Sequence, residues 1–380
     1  MKKAYNETWV ENIHILRKAS KWLEKGLLTT AQMDQVKSNF DEQFYRPGIF
    51  VKIGLFFFGT IACSFFMGFA SIFFLEGGSE QSFSVLSILC SASFFFFLEY
   101  LIKNRNLFHS GVDNALLYAA ASCAVAPLFL LFENAPLSIY LIISLLIAIP
   151  VTLRYADLLA ATVCFFLLFT LLVNLMMQFP LGKALLPFSL MILAALVYFL
   201  VKRNKDVYYL DCQKVLEVLS LLTFYLGGNY LVVREGNALL NELSLPVSPQ
   251  IAFSQIFYTF TTVIPIVYIT FGIKRHNRIL LIIGLLTFAL SIYTYRHYFS
   301  QLTISQELII VGALLIVIAA AIIRYLHTPK HNISDEKEEE RQFANLEAIL
   351  VAQNLGQTPQ AGGMEFGGGN FGGGGAGEVY

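Results

Sequence analysis

The hydrophobic pattern has one dominant feature. From Ile49 to Leu326 apolar runs of about 17 to 25 residues follow one another, separated by short polar breaks. Each run is long enough to cross a bilayer hydrocarbon core as a helix. Their limits are 49–75, 83–102, 115–132, 137–153, 156–177, 184–201, 215–233, 252–273, 279–295 and 305–326. The pattern predicts an all-α, polytopic integral membrane protein with about ten transmembrane helices. Only Arg154 and Tyr155 divide 137–153 from 156–177. Those two runs read either as one helical hairpin of two spans or as a span plus a re-entrant piece.

The polar arm ahead of the array has helical periodicity. Trp9, Ile13, Leu16 and Leu23 fall on one face, and Met33, Val36, Phe40 and Phe44 continue a stripe. Between them Gly26 suits a left-handed helix end. Thr29 and Gln32 have the spacing of a capping box, flanked by Leu28 and Met33 as a hydrophobic staple. The arm, residues 1–48, therefore reads as a helical hairpin over about 6–45, stopped by Pro47 and Gly48. It holds both tryptophans, Trp9 and Trp22, which serve either to pack the two helices or to present a docking surface.

The run Trp22-Leu-Glu-Lys-Gly26-Leu-Leu-Thr29-Thr-Ala-Gln32 resembles the N-terminal signature of a family of bacterial predicted membrane proteins, domain of unknown function 2157. That family joins a W-x3-G-L-[IL]-[ST]-x2-Q hairpin to many spans. The resemblance implies a bacterial inner-membrane location and implies no activity.

Charge sets an expected orientation. One set of loops carries ten bases: Lys103, Arg105, Arg154, Lys202, Arg203, Lys205, Lys214, Lys274, Arg275 and Arg278. The alternate set carries three, Lys183, Arg234 and Arg296. Basic loops stay on the cytoplasmic side, and the arm, with Arg17, Lys18, Lys21, Lys25, Arg46 and Lys52, shares their side. With an even number of spans both termini are expected in the cytoplasm. Tyr100, Tyr155, Tyr208, Tyr209, Tyr293, Tyr295 and Tyr298 near the run ends suggest interfacial belts.

Composition agrees. The chain is 56% hydrophobic and 14% charged, with 35 phenylalanines, a surface that water would not tolerate on a globule. Its zero net charge gives no reason to expect nucleic acid. The expected partners are the lipid bilayer and, at the hairpin or the C-terminal tail, a protein or a second copy. Five cysteines, Cys63, Cys90, Cys123, Cys164 and Cys212, form no CxxC pair and read as small buried residues. The first apolar run lies too deep in the chain for a cleaved leader.

Candidate chemistry is sparse. HExxH, GxSxG and GxxxxGK[ST] are absent. Pro329 breaks the His327/His331 pair as a metal site. No catalytic, cofactor or metal residue is therefore named, and the chain reads as non-enzymatic. The carboxylates of the array sit near run ends, where each reaches a headgroup or a base: Glu99 toward Lys103, Asp157 beside Arg154, Glu217 near Lys214, with Asp113 and Glu307 also terminal. Pro127, Pro150 and Pro265 lie inside runs. Proline-kinked helices line many transport paths, so the alternative reading is a transporter of a small or lipid-like molecule. Asn174, Thr170 and Thr287 are expected to join helices by hydrogen bonds.

After the array, 327–355 predicts a cytosolic amphipathic helix, capped by Ser334 and striped by Phe343, Leu346, Ile349 and Leu350, that docks on the hairpin. Residues 356–380 are glycine-rich, with ten glycines in 362–377, and predict a disordered spacer. The ending resembles the FGGGxFGGGGAxG tails of several bacterial membrane-anchored proteins, TPM-domain proteins among them.

Overall fold

The computed structural model describes residues 2–74, 79–132, 134–242 and 248–299, with scattered positions between 303 and 324. The run 305–326, Glu307, the His327/His331 pair, the amphipathic helix after Ser334 and the glycine-rich tail lie outside the described residues or only partly within them. The chain divides into two compact units, Met1–Glu24 with Leu28–Glu307 and Lys25–Leu27 with Leu308–Tyr380, and the packing and cavities below are those of the first.

The elements are helices in series. The arm forms α1 (Glu7–Glu24) and α2 (Thr30–Asn39). Then follow α3 (Ile49–Phe74), α4 (Glu80–Arg105), α5 (Val112–Leu131), α6 (Leu137–Tyr155), α7 (Leu158–Met176), α8 (Gly182–Arg203), α9 (Leu210–Gly228), α10 (Tyr230–Leu240), α11 (Ser254–Lys274) and α12 (Arg278–Phe299). Among the described residues eight helices are long and apolar enough to cross a membrane, or nine if α9 and α10 count as one broken span. The protein is an all-α, multi-pass membrane protein.

Neighbours in sequence pack as antiparallel pairs: α4 on α5, α6 on α7, α8 on α9 and α11 on α12, with α3 laid along α5. The α6–α7 connection shows how little loop such a pair needs. Ala156 turns the chain in the left-handed region (φ 47°) and Asp157 caps α7 by accepting from the Ala160 amide. Both helices have 19 residues, roughly 28 Å at 1.5 Å per residue. Each is thus a separate helix long enough to span, the arrangement that the hairpin reading expects.

In the arm, Gly26 is left-handed (φ 70°) and the Thr29–Gln32 capping box forms in both directions, at 2.9 and 3.3 Å. The second helix stops at Asn39, so Phe40 and Phe44 lie beyond it. Phe44 belongs to an extended segment whose Tyr45 amide donates to the Asn106 carbonyl. Val10, Ile13 and Ala19 of α1 are buried, Trp9 packs edge-on against Phe44, and Trp22 is 51% exposed. Trp22 therefore does not seal the hairpin.

Two further expectations need correction. The 215–233 run is not one helix. The chain bends 76° at Asn229, whose side chain caps α10 by accepting from the Val232 amide. Asn229 is fully buried and also donates to Tyr225 Oη and Thr294 Oγ1. With 19 residues α9 is already about one hydrocarbon thickness long, so the end of the run, with Arg234 after it, belongs to α10. Secondly, polar joints between helices are made by other residues than expected. Ser91 donates to the Ala120 carbonyl, Ser291 to the Thr261 carbonyl and Tyr268 to the Leu221 carbonyl. Thr287 bonds only its own helix, Asn174 meets Gln178 of the same turn, and Thr170 is exposed. Many of the phenylalanines that mark the composition face outward, among them Phe50, Phe58, Phe65 and Phe69.

Candidate functional site

The most elaborate polar chemistry gathers where α3, α5 and α7 begin and α4 and α6 end. Its base is the loop Asn106–Gly111. Gly111 has φ 113°, and a Cβ there would stand 2.3 Å from the Lys52 carbonyl of α3. Only glycine lets this loop lie so close to α3. The loop's donors converge on one carboxylate. Asp113 Oδ1 accepts from the Ser110 amide (2.8 Å), Ser110 Oγ (3.0 Å) and the Gly111 amide (3.1 Å). Its Oδ2 accepts from Tyr5 Oη at 3.3 Å. Asp113 is 1% exposed, so the arm is tied to the membrane unit through a buried hydrogen bond.

A second buried carboxylate stands beside it. Asp157, 2% exposed, accepts from Asn114 Nδ2 (2.9 Å) and Tyr118 Oη (3.1 Å) besides capping α7. His109 Nδ1 is 3.9 Å from it. Neither aspartate meets a headgroup or Arg154, contrary to the reading from position along the chain. Both act as anchors for amides and hydroxyls, which offsets the cost of burying charge.

The other terminal carboxylates also take partners distant in sequence. Glu99 accepts from Arg154 Nε (2.7 Å) and Tyr155 Oη (2.6 Å), not from Lys103. Glu217 pairs with Lys202 (2.7 Å) and accepts from Asn277, not from Lys214, which bonds Asp211. Of the tyrosines expected in belts, Tyr155 and Tyr208 are buried struts. Tyr208 Oη donates to the Arg154 carbonyl at 2.6 Å.

The arm is held at several points. Lys3 Nζ bonds Asp206 (2.6 Å) and Glu7 (2.8 Å), the Ala4 amide donates to the Arg154 carbonyl, and Arg17 pairs with Asp211 at 3.2 Å. Burial opposes the charge of Asp206, but the Lys3 ammonium outweighs it and holds the carboxyl below its ordinary range. Burial, reinforced by Asp113, pushes the Tyr5 phenol well up, so it stays a donor.

Between arm and spans lies a cavity of about 840 Å³. Its polar end is formed by His14, Arg17, Lys52, His109, Asn114 and Asp157. Its apolar wall is Ile49, Ile53 and Phe57 of α3 with Leu158 and Leu159 of α7, all side chains exposed on the outer surface of the helices. Arg17 is committed to Asp211, and Arg46 at the rim to Glu42. The Lys52 ammonium, on a half-buried side chain, has no hydrogen-bond or ion-pair partner among the described residues. Asn114 is 8% exposed and its Oδ1 is buried without a partner. Partial burial lowers the pKa of both His14 and His109, so both rings are neutral near pH 7. The chamber thus offers one uncommitted cation, two rings able to gain charge, and an apolar side open toward lipid.

The prolines do not build it. Pro127, Pro150 and Pro265 lie within α5, α6 and α11 and do not line this cavity. A separate cavity of about 480 Å³ is lined by Pro180 and Pro187 beside the α9–α10 bend. Among the described residues no group of three or more His, Cys, Asp or Glu is placed to hold a metal ion.

Fold and site together define the class: a polytopic α-helical membrane protein with an amphipathic chamber at one membrane boundary. No protein-family model matches the chain, no curated protein matches it, and no solved structure matches it.

Proposed function

We propose that this is a non-enzymatic, multi-pass protein of a bacterial inner membrane that holds an anionic amphiphile in the chamber under its N-terminal arm. The observation that carries the reading is the uncommitted Lys52 ammonium at the polar end of a chamber whose other side is apolar and faces lipid. An anionic headgroup beside Lys52, with its hydrocarbon against Ile53 and Phe57, satisfies both ends at once. A non-enzymatic role is supported by the two buried aspartates, each fully occupied as an anchor.

The basic loops gather at this same boundary, which supports placing it, with the arm, on the cytoplasmic side. Membership in the domain of unknown function 2157 family is part of the proposal. It is supported by the structural purpose of its motif residues: Gly26 takes the left-handed turn, and Thr29 and Gln32 cap α2. The division into a cytosolic hairpin (1–48), a span array (49–326), a cytosolic amphipathic helix (327–355) and a glycine-rich tail (356–380) belongs to the same reading. With the buried face of α1 turned to the spans, Trp22 is the most exposed large apolar side chain of the arm that is left for a protein partner.

The test is native mass spectrometry of protein extracted gently with its own lipids. The wild type is expected to carry an anionic lipid at fixed stoichiometry, and Lys52→Glu to lose it while keeping its melting temperature. Equal retention by both proteins, or no bound amphiphile, would overturn the proposal.

A further inference from the structure

The chamber does not end at its apolar wall. Phe56 and Tyr118, whose rings lie 6.0 Å apart, line both the chamber and a groove that runs deeper between α3 and α5. This first groove, about 380 Å³, passes Thr60, Cys63, Ser64 and Met67 on α3 and Ala119 and Ala126 on α5. Tyr118 and Leu159 likewise line both the chamber and a second groove of about 540 Å³. It descends past Ala121, Val125 and Phe129 of α5, with Ser144, Val151 and Val163 opposite.

The two grooves share three α5 residues, Tyr118, Ser122 and Ala126. Spaced four apart, these form a single ridge along one helix face. The ridge is tall at the chamber and low below it, because a tyrosine is followed by serine and alanine. From Phe56 to Met67 the first groove runs roughly 16 Å, and from Leu117 to Phe129 the second runs roughly 18 Å, at 1.5 Å per residue. Each therefore reaches about as deep as one leaflet, half of a core about 30 Å thick.

We infer that the chamber's ligand is a two-chained anionic lipid that straddles α5, with its phosphate at Lys52, a headgroup hydroxyl donating to the buried Asn114 Oδ1, and one acyl chain in each groove. The inference rests on the proposed headgroup site and adds the class of molecule. Three observations point to it independently of the small residues: both grooves open from the same chamber, they diverge at one side chain, and the chamber holds an uncommitted cation and the buried, unpartnered Asn114 Oδ1. A single-chained amphiphile would leave one groove to bulk lipid. A soluble anion would use neither.

The experiment is native mass spectrometry of delipidated protein equilibrated with equimolar phosphatidylglycerol and lysophosphatidylglycerol, which share a headgroup. The two-chained lipid is expected to be retained at least about tenfold better, the factor that burying some two further methylenes supplies. Ser64→Phe obstructs the first groove and Val163→Phe the second. Both positions face lipid, so the bundle's packing is untouched. Either variant is expected to remove the preference without lowering the melting temperature. Equal retention of both lipids, or a preference unchanged in both variants, would overturn the two-chain inference and leave the headgroup site standing. Retention of neither lipid would overturn the headgroup site and the inference with it.

Discussion

Removing the Asp113 carboxylate tests the link between the arm and the spans. In Asp113→Ala the amides of Ser110 and Gly111 lose their acceptor in a place water does not reach. An orphaned buried donor costs about 1–3 kcal/mol, so the two together cost about 2–6 kcal/mol. Loss of the Tyr5 hydrogen bond adds about 1 kcal/mol. Asp113→Asn keeps an oxygen for the loop and an amide that Tyr5 Oη can accept from, so it gives up only the charge assistance, about 1 kcal/mol. Tyr5→Phe removes a single bond at 3.3 Å and costs about 1 kcal/mol or less. The assay is reversible unfolding in mixed micelles as the fraction of denaturing detergent rises, read for each single variant and for Tyr5→Phe with Asp113→Asn. The pair in contact is expected to show non-additivity near 0.5–1 kcal/mol. If Asp113→Ala costs under about 1 kcal/mol, or the double variant is strictly additive, the aspartate is not the anchor described here.

Acidity gives a second test. His14 and His109 have pKa values depressed below the ordinary 6.5, so the unfolded chain takes up protons first. Stability from these rings is whole above about pH 6.5 and falls as the pH drops through that value. A melting series without anionic lipid is expected to fall between pH 7 and 5, and added anionic lipid to flatten it, because a bound anion favours the imidazolium. The Lys3–Asp206 pair responds to acid in the same direction but at a lower range: the depressed Asp206 carboxyl contributes above its ordinary value near 3.8 and loses that contribution as the pH falls through the lower folded value. Asn229→Ala removes the α10 cap and two buried donor bonds at the bend, an expected loss of about 2–4 kcal/mol in the same unfolding assay; a neutral result would mean that the bend is not held by this side chain. Single cysteines at Lys3 and Lys205, in a chain whose native cysteines are replaced by serine, are expected to react with an impermeant thiol reagent only from the cytoplasmic side; labelling from outside would reverse the proposed orientation.

Much of the architecture was legible because it is periodic. Nine of the ten predicted runs lie almost wholly within the described residues; eight coincide with one helix each, α3 to α8, α11 and α12, and 215–233 is split between α9 and α10, because backbone groups in lipid must bond within their own helix. The Gly26 turn and the Thr29–Gln32 box were readable for a similar reason, since both are local devices. The site was not legible, because its partners come from distant points of the chain. Glu99 has a base four residues away in Lys103, yet meets Arg154, brought beside it by the packing of the spans. Tyr5 precedes the helical stripe and carries no periodic signal, so nothing local marked it as the arm's anchor. Two features did leave a trace. Asp157 stands at the start of an apolar run, the position of an N-cap. The Gly227-Gly228-Asn229 sequence is a turn signal inside a run that hydropathy alone read straight through. Reading these end carboxylates as partners of headgroups or neighbouring bases missed that Asp113 is satisfied by amides of the preceding loop and Asp157 by an amide of its own helix.

The central claim, a headgroup held at Lys52, is tested most directly by cryo-electron microscopy of the protein in nanodiscs of phosphatidylglycerol. The account predicts headgroup density within hydrogen-bond distance of Lys52 Nζ and Asn114, continued by chain density on both sides of the Tyr118–Ala126 ridge. A chamber closed by the arm, or one with Lys52 paired to a protein carboxylate and no lipid density beside it, would contradict the account.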